Sequence, residues 1–396
     1  MENSQKPYES IEDGSDVEIT DLPDHGDSRK QTHAWFSKQV LVWQHSIAQH
    51  PTTWRLATTL SLCLLMIIIL GFVVSNVTTL LSPHKSSTIS SFVFATRPPF
   101  DPFSYPHSDT PNVTDNAHKN LVENIVWSPD GKRLASGARD DVVVVWDPET
   151  GARLRYTGHK DEILGIAWSP DGKYIASASR DTTVQVWDAL TGKPVWTYHD
   201  TVAVYSVSWS PDGKFLALGD DTAEVQIWDM TDRHKVQTLS GHLAAVLSIS
   251  WSPDGTRLAT ASMDFTARIW QFSTGKSLLT YSHHGDVASS IAWSPDGRLI
   301  ASSSYDTTVQ IWNPTNGQRL FNYQGHSNAV YGLAWSPDGT RLASAGEDNM
   351  VQIWNARDGT HLMTYFIRAI CVAWSPDGSR IAVGSREGRV TIWNFS

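Results

Sequence analysis

The chain has 396 residues, too many for one ordinary core, and its 31 Lys+Arg against 41 Asp+Glu give a formal charge of −10. That balance argues against a nucleic-acid ligand, whose binding draws on basic side chains that neutralise phosphates. Two cysteines exclude a disulfide scaffold, a cysteine-based zinc module and an iron–sulfur protein. No Gly-rich phosphate loop or metal-spaced His/Cys cluster calls for a cofactor, so none is expected.

Residues 1–32 carry Glu2, Glu9, Glu12, Asp13, Asp16, Glu18, Asp21, Asp24 and Asp27 with few large apolar residues. Such a segment cannot bury enough surface to offset its ordering entropy, which predicts an acidic disordered tail. Over 33–50, Phe36, Val40, Trp43 and Ile47 fall on one helical face, with Trp35 beside them. This reads as an amphipathic helix at a membrane surface, ended by Pro51.

Leu56 to Val74 is uncharged and dominated by Leu, Ile, Val and Met. Nineteen helical residues reach about 28 Å, close to the hydrocarbon thickness of a bilayer, and Trp54 and Arg55 sit where an interfacial anchor belongs. The expectation is a single transmembrane helix over 54–76. Arg29, Lys30, Lys38 and Arg55 precede it, and only Lys85 and Arg97 follow nearby. The bias of positive charge places the N-terminus inside and the C-terminal part outside the cell membrane. Residues 82–111, rich in Ser, Thr and Pro, read as an extended stalk.

The remainder, 112–396, is periodic. Trp-Ser-Pro-Asp-Gly begins at Trp127, Trp168, Trp209, Trp251, Trp293, Trp335 and Trp374. A second tryptophan follows each: Trp146, Trp187, Trp228, Trp270, Trp312, Trp354 and Trp393. Short β-branched runs such as Ile163–Trp168, Tyr174–Ser179 and Thr183–Trp187 alternate with Pro-Asp-Gly and Thr-Gly turns, predicting four strands per repeat. One such unit cannot bury both faces alone, so seven units form a ring of blades.

These residues resemble the WD-repeat β-propeller family. The resemblance rests on Gly158-His159, Gly241-His242 and Gly325-His326, on His118 and His284 alone, on turn aspartates, and on Trp-Asp at 146, 187 and 228. It implies an all-β fold, a seven-bladed β-propeller of four-stranded antiparallel blades. It further implies closure by an N-terminal strand, for which Asn112–Asp115 and Ser91–Thr96 both qualify. A propeller behind one membrane helix is also similar to sensor regions of some bacterial signalling proteins, without their kinase domain.

Five repeats carry Ser or Thr, His and Asp in register: Ser136/His118/Asp140, Ser177/His159/Asp181, Thr260/His242/Asp264, Ser302/His284/Asp306 and Ser344/His326/Asp348. One copy would suggest a hydrolase, but an enzyme needs a single polarised nucleophile beside an oxyanion hole. The family resemblance makes each set a structural network ending on Trp146, Trp187, Trp270, Trp312 or Trp354. Repeat three (Asp200, Leu218, Thr222) and repeat seven (Val383, Glu387) lose the set together, as a half-satisfied network costs more than none.

Exposed positions that differ between repeats are free to specialise. The resemblance implies that three positions per blade face the top of the ring. They place Arg139, Arg180, Arg386 and Arg368 in neighbouring blades as a basic arc, near Leu164, Tyr205, Leu247, Tyr331 and Tyr305. Arginine and aromatics are enriched at binding hot spots. The reading is a membrane-anchored, non-catalytic interaction module that takes a protein or peptide with acidic and apolar residues. The alternatives are an enzyme with a hydrolase or lyase site in the channel, and a structural spacer.

Overall fold

The computed structural model describes residues 111–395. The expected tail, amphipathic helix, membrane helix and nearly all of the stalk lie outside that range. Among the described residues no helix is long and apolar enough to cross a membrane.

The described chain forms seven four-stranded antiparallel sheets. Blade two is typical, running through Ile163–Trp168, Tyr174–Ser179, Thr183–Asp188 and Pro194–His199 from one edge of the sheet to the other. The first strands, from Val122–Trp127 to Ala369–Trp374, touch their counterparts in both neighbouring blades and so encircle a central axis.

Each Ser-Pro-Asp-Gly is a tight turn built by its own side chains. In blade one the Gly131 amide donates to the Ser128 carbonyl at 2.8 Å, and Gly131 takes a φ of 69°, where a side chain would be strained. The Ser128 hydroxyl donates to Asp130 at 2.6 Å and accepts the Arg133 amide at 2.9 Å. The tryptophan before each turn is buried, and the Trp127, Trp251, Trp293 and Trp335 indoles donate to a carbonyl of the preceding blade.

Among the described residues the apolar core is divided rather than central. Seven apolar clusters lie one at each boundary between consecutive blades; that between blades one and two joins Val143, Val145 and Tyr156 to Ile163, Trp168 and Trp187. Each blade is thus stabilised by both neighbours, and the ring needs its last boundary closed.

Val113–Asp115 closes it, pairing antiparallel with Val390–Asn394 as the fourth strand of blade seven. Of the two candidate segments, Asn112–Asp115 therefore holds the place; Ser91–Thr96 lies outside the described residues. Blade one secures this short strand: Arg153 meets buried Asp115 at 2.7 Å, and Arg155 donates to the Ala117 carbonyl at 2.8 Å.

Candidate protein-interaction face of the ring

Antiparallel alternation puts two kinds of loop at one end of the ring, called here the top. One enters each blade's first strand; the other joins its second and third strands. The histidine of each network lies in the first loop and its aspartate in the second, so the network ties them together.

All five networks form. Histidine Nδ1 meets the nearer aspartate oxygen at 2.8–3.0 Å, and Nε2 meets the Ser or Thr hydroxyl at 2.7–2.8 Å. The same carboxylate accepts the amide after the histidine, as in Lys160 N to Asp181 Oδ2 at 2.8 Å. The histidine side chains are almost wholly buried, so no substrate reaches the hydroxyls.

The five sets are not equivalent, and Asp348 shows one departure from the expectation of one repeated arrangement. Its two oxygens share His326 Nδ1, at 2.9 and 3.1 Å, and one of them accepts the Ser327 amide at 3.0 Å. Asp181, Asp264 and Asp306 each gain a further donor, the hydroxyl of Thr183, Thr266 or Thr308, at 2.6–2.7 Å. Met350 stands at that place beside Asp348, as Val142 does beside Asp140, and brings no hydroxyl; its backbone amide donates at 3.2 Å, as the threonine amides do at 2.9 Å. Asp348 is therefore tied to its histidine as expected, but it lacks the threonine clasp of blades two, four and five.

The final link to tryptophan is narrower than expected. Trp270 donates to Thr260 at 2.9 Å and Trp312 to Ser302 at 3.1 Å. Among the described residues the indole nitrogens of Trp146, Trp187 and Trp354 have no hydrogen-bond partner. In blades one and two the serine hydroxyl leans toward a carbonyl of the third strand instead, Val144 or Gln185.

Blade three replaces the network rather than simply losing it. Buried Asp220 accepts the Thr222 hydroxyl at 2.6 Å and its amide at 2.8 Å, and Gln226 spans from Asp220 to Asp200 at 3.3 and 2.9 Å. The signal for this was Asp220, which stands where blades two and four carry Ser179 and Ser262.

The four arginines do occupy the top of blades seven, one and two, but each has a carboxylate of its own. Arg139 meets Glu123 at 2.5 Å and Glu162 at 3.9 Å, and Arg180 meets Glu162 at 3.2 Å. Arg386 reaches across from blade seven to Glu347 of blade six at 3.2 Å, and Arg368 meets Glu387 at 3.2 Å. The arc is a chain of alternating charges, not a run of free cations. Arg139, Arg180 and Arg368 still keep 42, 52 and 61% of their side-chain surface exposed.

The apolar positions are more covered than expected. Leu164, Tyr205, Leu247 and Tyr331 are half-buried on the first strands, and Ile370 is buried. Tyr205 donates weakly to Asp221 at 3.4 Å. Tyr305 meets Tyr331 edge to face at 5.3 Å between centroids, and Arg386 lies over the Tyr331 ring. Burial, then the nearby Glu123 and Glu347 charges, push the Tyr305 hydroxyl up to about 12, so it stays a neutral donor.

Among the described residues no cluster of three or more His, Cys, Asp or Glu side chains is placed to hold a metal ion. A family model described as the WDR19 first beta-propeller matches residues 123–286. A second, described as WD domain, G-beta repeat, matches 275–313, 317–355 and 361–394. The described domain is a WD40-repeat propeller. The two matches between them touch all seven blades of this WD40 propeller. No curated protein matches the chain. WD40 propellers are usually non-catalytic and typically serve as protein-interaction scaffolds.

Proposed function

We propose that this chain is a membrane-anchored scaffold that captures a protein segment on the top of blades seven, one and two. One observation carries the reading: Arg139, Arg180 and Arg368 are held in place by Glu123, Glu162 and Glu387 yet remain about half exposed. Pre-positioned arginines lose little side-chain freedom on binding and offer paired donors to a carboxylate. The ligand that fits carries Asp or Glu beside large apolar residues, which would lie against Leu164, Tyr331 and Tyr305.

Peptides of that composition test it. Arg139→Glu with Arg180→Glu should abolish their binding; it should also lower the melting temperature, because half-buried Glu123 and Glu162 then face like charge. Retained binding moves the site to the side or bottom of the ring. Anchoring through residues 54–76 rests on sequence alone and places the propeller outside the cell. Protease added to intact cells should then cut within 82–111 and release it; protection until lysis puts the propeller inside.

A further inference from the structure

Blade four differs from its neighbours at the top. Leu243 is 88% exposed and Phe265 is 40% exposed. The residue after the network histidine is Lys119, Lys160, Gly285 or Ser327 in the other network blades. The residue after the turn aspartate is there Asp141, Thr182, Thr307 or Asn349. Only blade four sets a large apolar side chain at both places. One carboxylate ties them: the Leu243 amide donates to Asp264 Oδ2 at 2.9 Å, and Phe265 follows Asp264 in the chain.

Folding does not account for this pair. Phe265 sits at φ 70°, where a bulky side chain is strained, and neither residue belongs to the apolar cores on either side of blade four. Half-buried Met263 and Leu247 continue the apolar surface toward the channel. The loops around it are acidic, and the nearby Arg268 guanidinium, on the third strand of blade four, is half-buried against Gly241 and Trp270. The top loops of blades three, four and five contain no lysine or arginine. Asp221 receives only the long Tyr205 contact, and Asp286 receives the amide of Val287 at 2.7 Å. Among the described residues neither carboxylate meets a cation.

We propose that the top of blade four anchors a protein segment with a large apolar side chain next to lysine or arginine. The apolar side chain would cover Leu243 and Phe265, and the cation would meet Asp221 or Asp286, on the blades to either side. Charge complementarity selects this occupant over an acidic one, which these carboxylates repel. The inference rests on the protein-binding reading above but not on the arginine arc.

The test is the full-length chain against arrayed peptides with a central Trp, Leu or Phe flanked by Lys/Arg, by Asp/Glu or by Ser/Gly. The Lys/Arg set should bind. Leu243→Ser with Phe265→Ser should weaken it by about tenfold or more, the scale of a hot spot, at unchanged melting temperature. Asp221→Asn with Asp286→Asn should weaken it several-fold and flatten its salt dependence. Arg139→Glu with Arg180→Glu should leave it intact, which separates this site from the arc. The proposal is overturned if the Lys/Arg set does not bind, if the other sets bind equally, or if the double serine variant keeps its affinity. It is overturned too if those serines abolish self-association of the chain instead, which would assign the patch to a second copy.

Discussion

The hydroxyl of Tyr281, at the outer edge of blade four, donates to Oε1 of Gln310 in blade five at 2.7 Å, while its ring lies flat on Trp312 at 4.3 Å. The same pair crosses three other boundaries, as Tyr156 with Gln185, Tyr198 with Gln226 and Tyr323 with Gln352. Where the tyrosine gives way to Leu239, the glutamine position holds Arg268; where it is Asp115, it holds Val144. At these two boundaries both residues are lost, as expected of buried partners, whereas at the boundary between blades six and seven Tyr365 stays and Thr391 takes the glutamine position.

Tyr281→Phe keeps the stacking but leaves buried Gln310 Oε1 without its donor, and should cost about 1–3 kcal/mol. Tyr365→Phe, where Thr391 occupies the glutamine position, should cost under about 1 kcal/mol by the same reasoning. Denaturant melts of the two variants compare them directly.

Asp181→Ala removes the carboxylate that meets His159 and accepts from the Lys160 amide and Thr183, and should lower stability by about 1–3 kcal/mol. Thr222→Ala removes one hydroxyl donor from Asp220, which keeps the Thr222 amide and Gln226. About 1 kcal/mol or less is expected there. Equal shifts in melting temperature would remove the distinction between a five-fold network and its blade-three substitute.

The network aspartates also set an acid limit. Burial pushes the Asp306 carboxyl up, but hydrogen bonds from His284 and Thr308 outweigh it and hold the group down at about 2. Asp140, Asp181 and Asp264 are displaced the same way. A depressed folded value gives stability that is complete above the unfolded aspartate value near 4 and lost as pH falls toward 2. Melting temperature should therefore drop steeply between about pH 4 and 2. Asp306→Asn should flatten that drop; an unchanged slope would place the acid-sensitive groups elsewhere.

The residue after the turn aspartate lies at positive φ in every network blade, from 63° at Asn349 to 73° at Thr307, and blade seven uses Gly388 at 80°. A Cβ on Gly388 would come within 2.5 Å of the His118 carbonyl oxygen. Gly388→Ala should then cost more than the roughly 1 kcal/mol of left-handed strain alone. Thr307→Gly, with strain to release and no such contact, should be neutral or stabilising in a thermal melt.

The blades were legible because their turns are local: Ser-Pro-Asp-Gly closes on its own side chains, and each network histidine lies 22 residues from its aspartate in every copy. That constant spacing made His326 and Asp348 look like the other pairs. The difference lies at Met350, two residues beyond Asp348, where a threonine hydroxyl completes three of the other sets. The tyrosine–glutamine pairs were written at an almost constant spacing too, 28 or 29 residues. They escaped notice because they join two repeats, and comparison within each repeat separates the partners. The arginine arc was misjudged for a related reason. Arg139, in the turn after the second strand, and Glu123, on the first, are 16 residues apart, and Arg386 and Glu347 are 39 apart across a blade boundary. Composition counts both charges, but only the fold shows that they cancel. The blade-four patch was overlooked because Leu243 and Phe265 each sit two residues from the top-facing positions compared, Ala245 and Met263.

Ring closure also has a mechanical side. Val113–Asp115 is the first strand of the propeller, so tension applied to the chain before Pro111 falls on three residue pairings, the Arg153–Asp115 contact and the Arg155 bond to the Ala117 carbonyl. Every other blade joins its fourth strand to its third by a turn, and shares load through two connections. Peeling this strand away would uncover the outer edge of Val390–Asn394 and open the boundary between blades seven and one, where Val390 and Ile392 lie against Val144 and Trp146. The strand is a fuse. Stretching single molecules from residue 111 should give a weak first rupture that releases about six residues before any whole blade yields, and Arg153→Ala should lower its force.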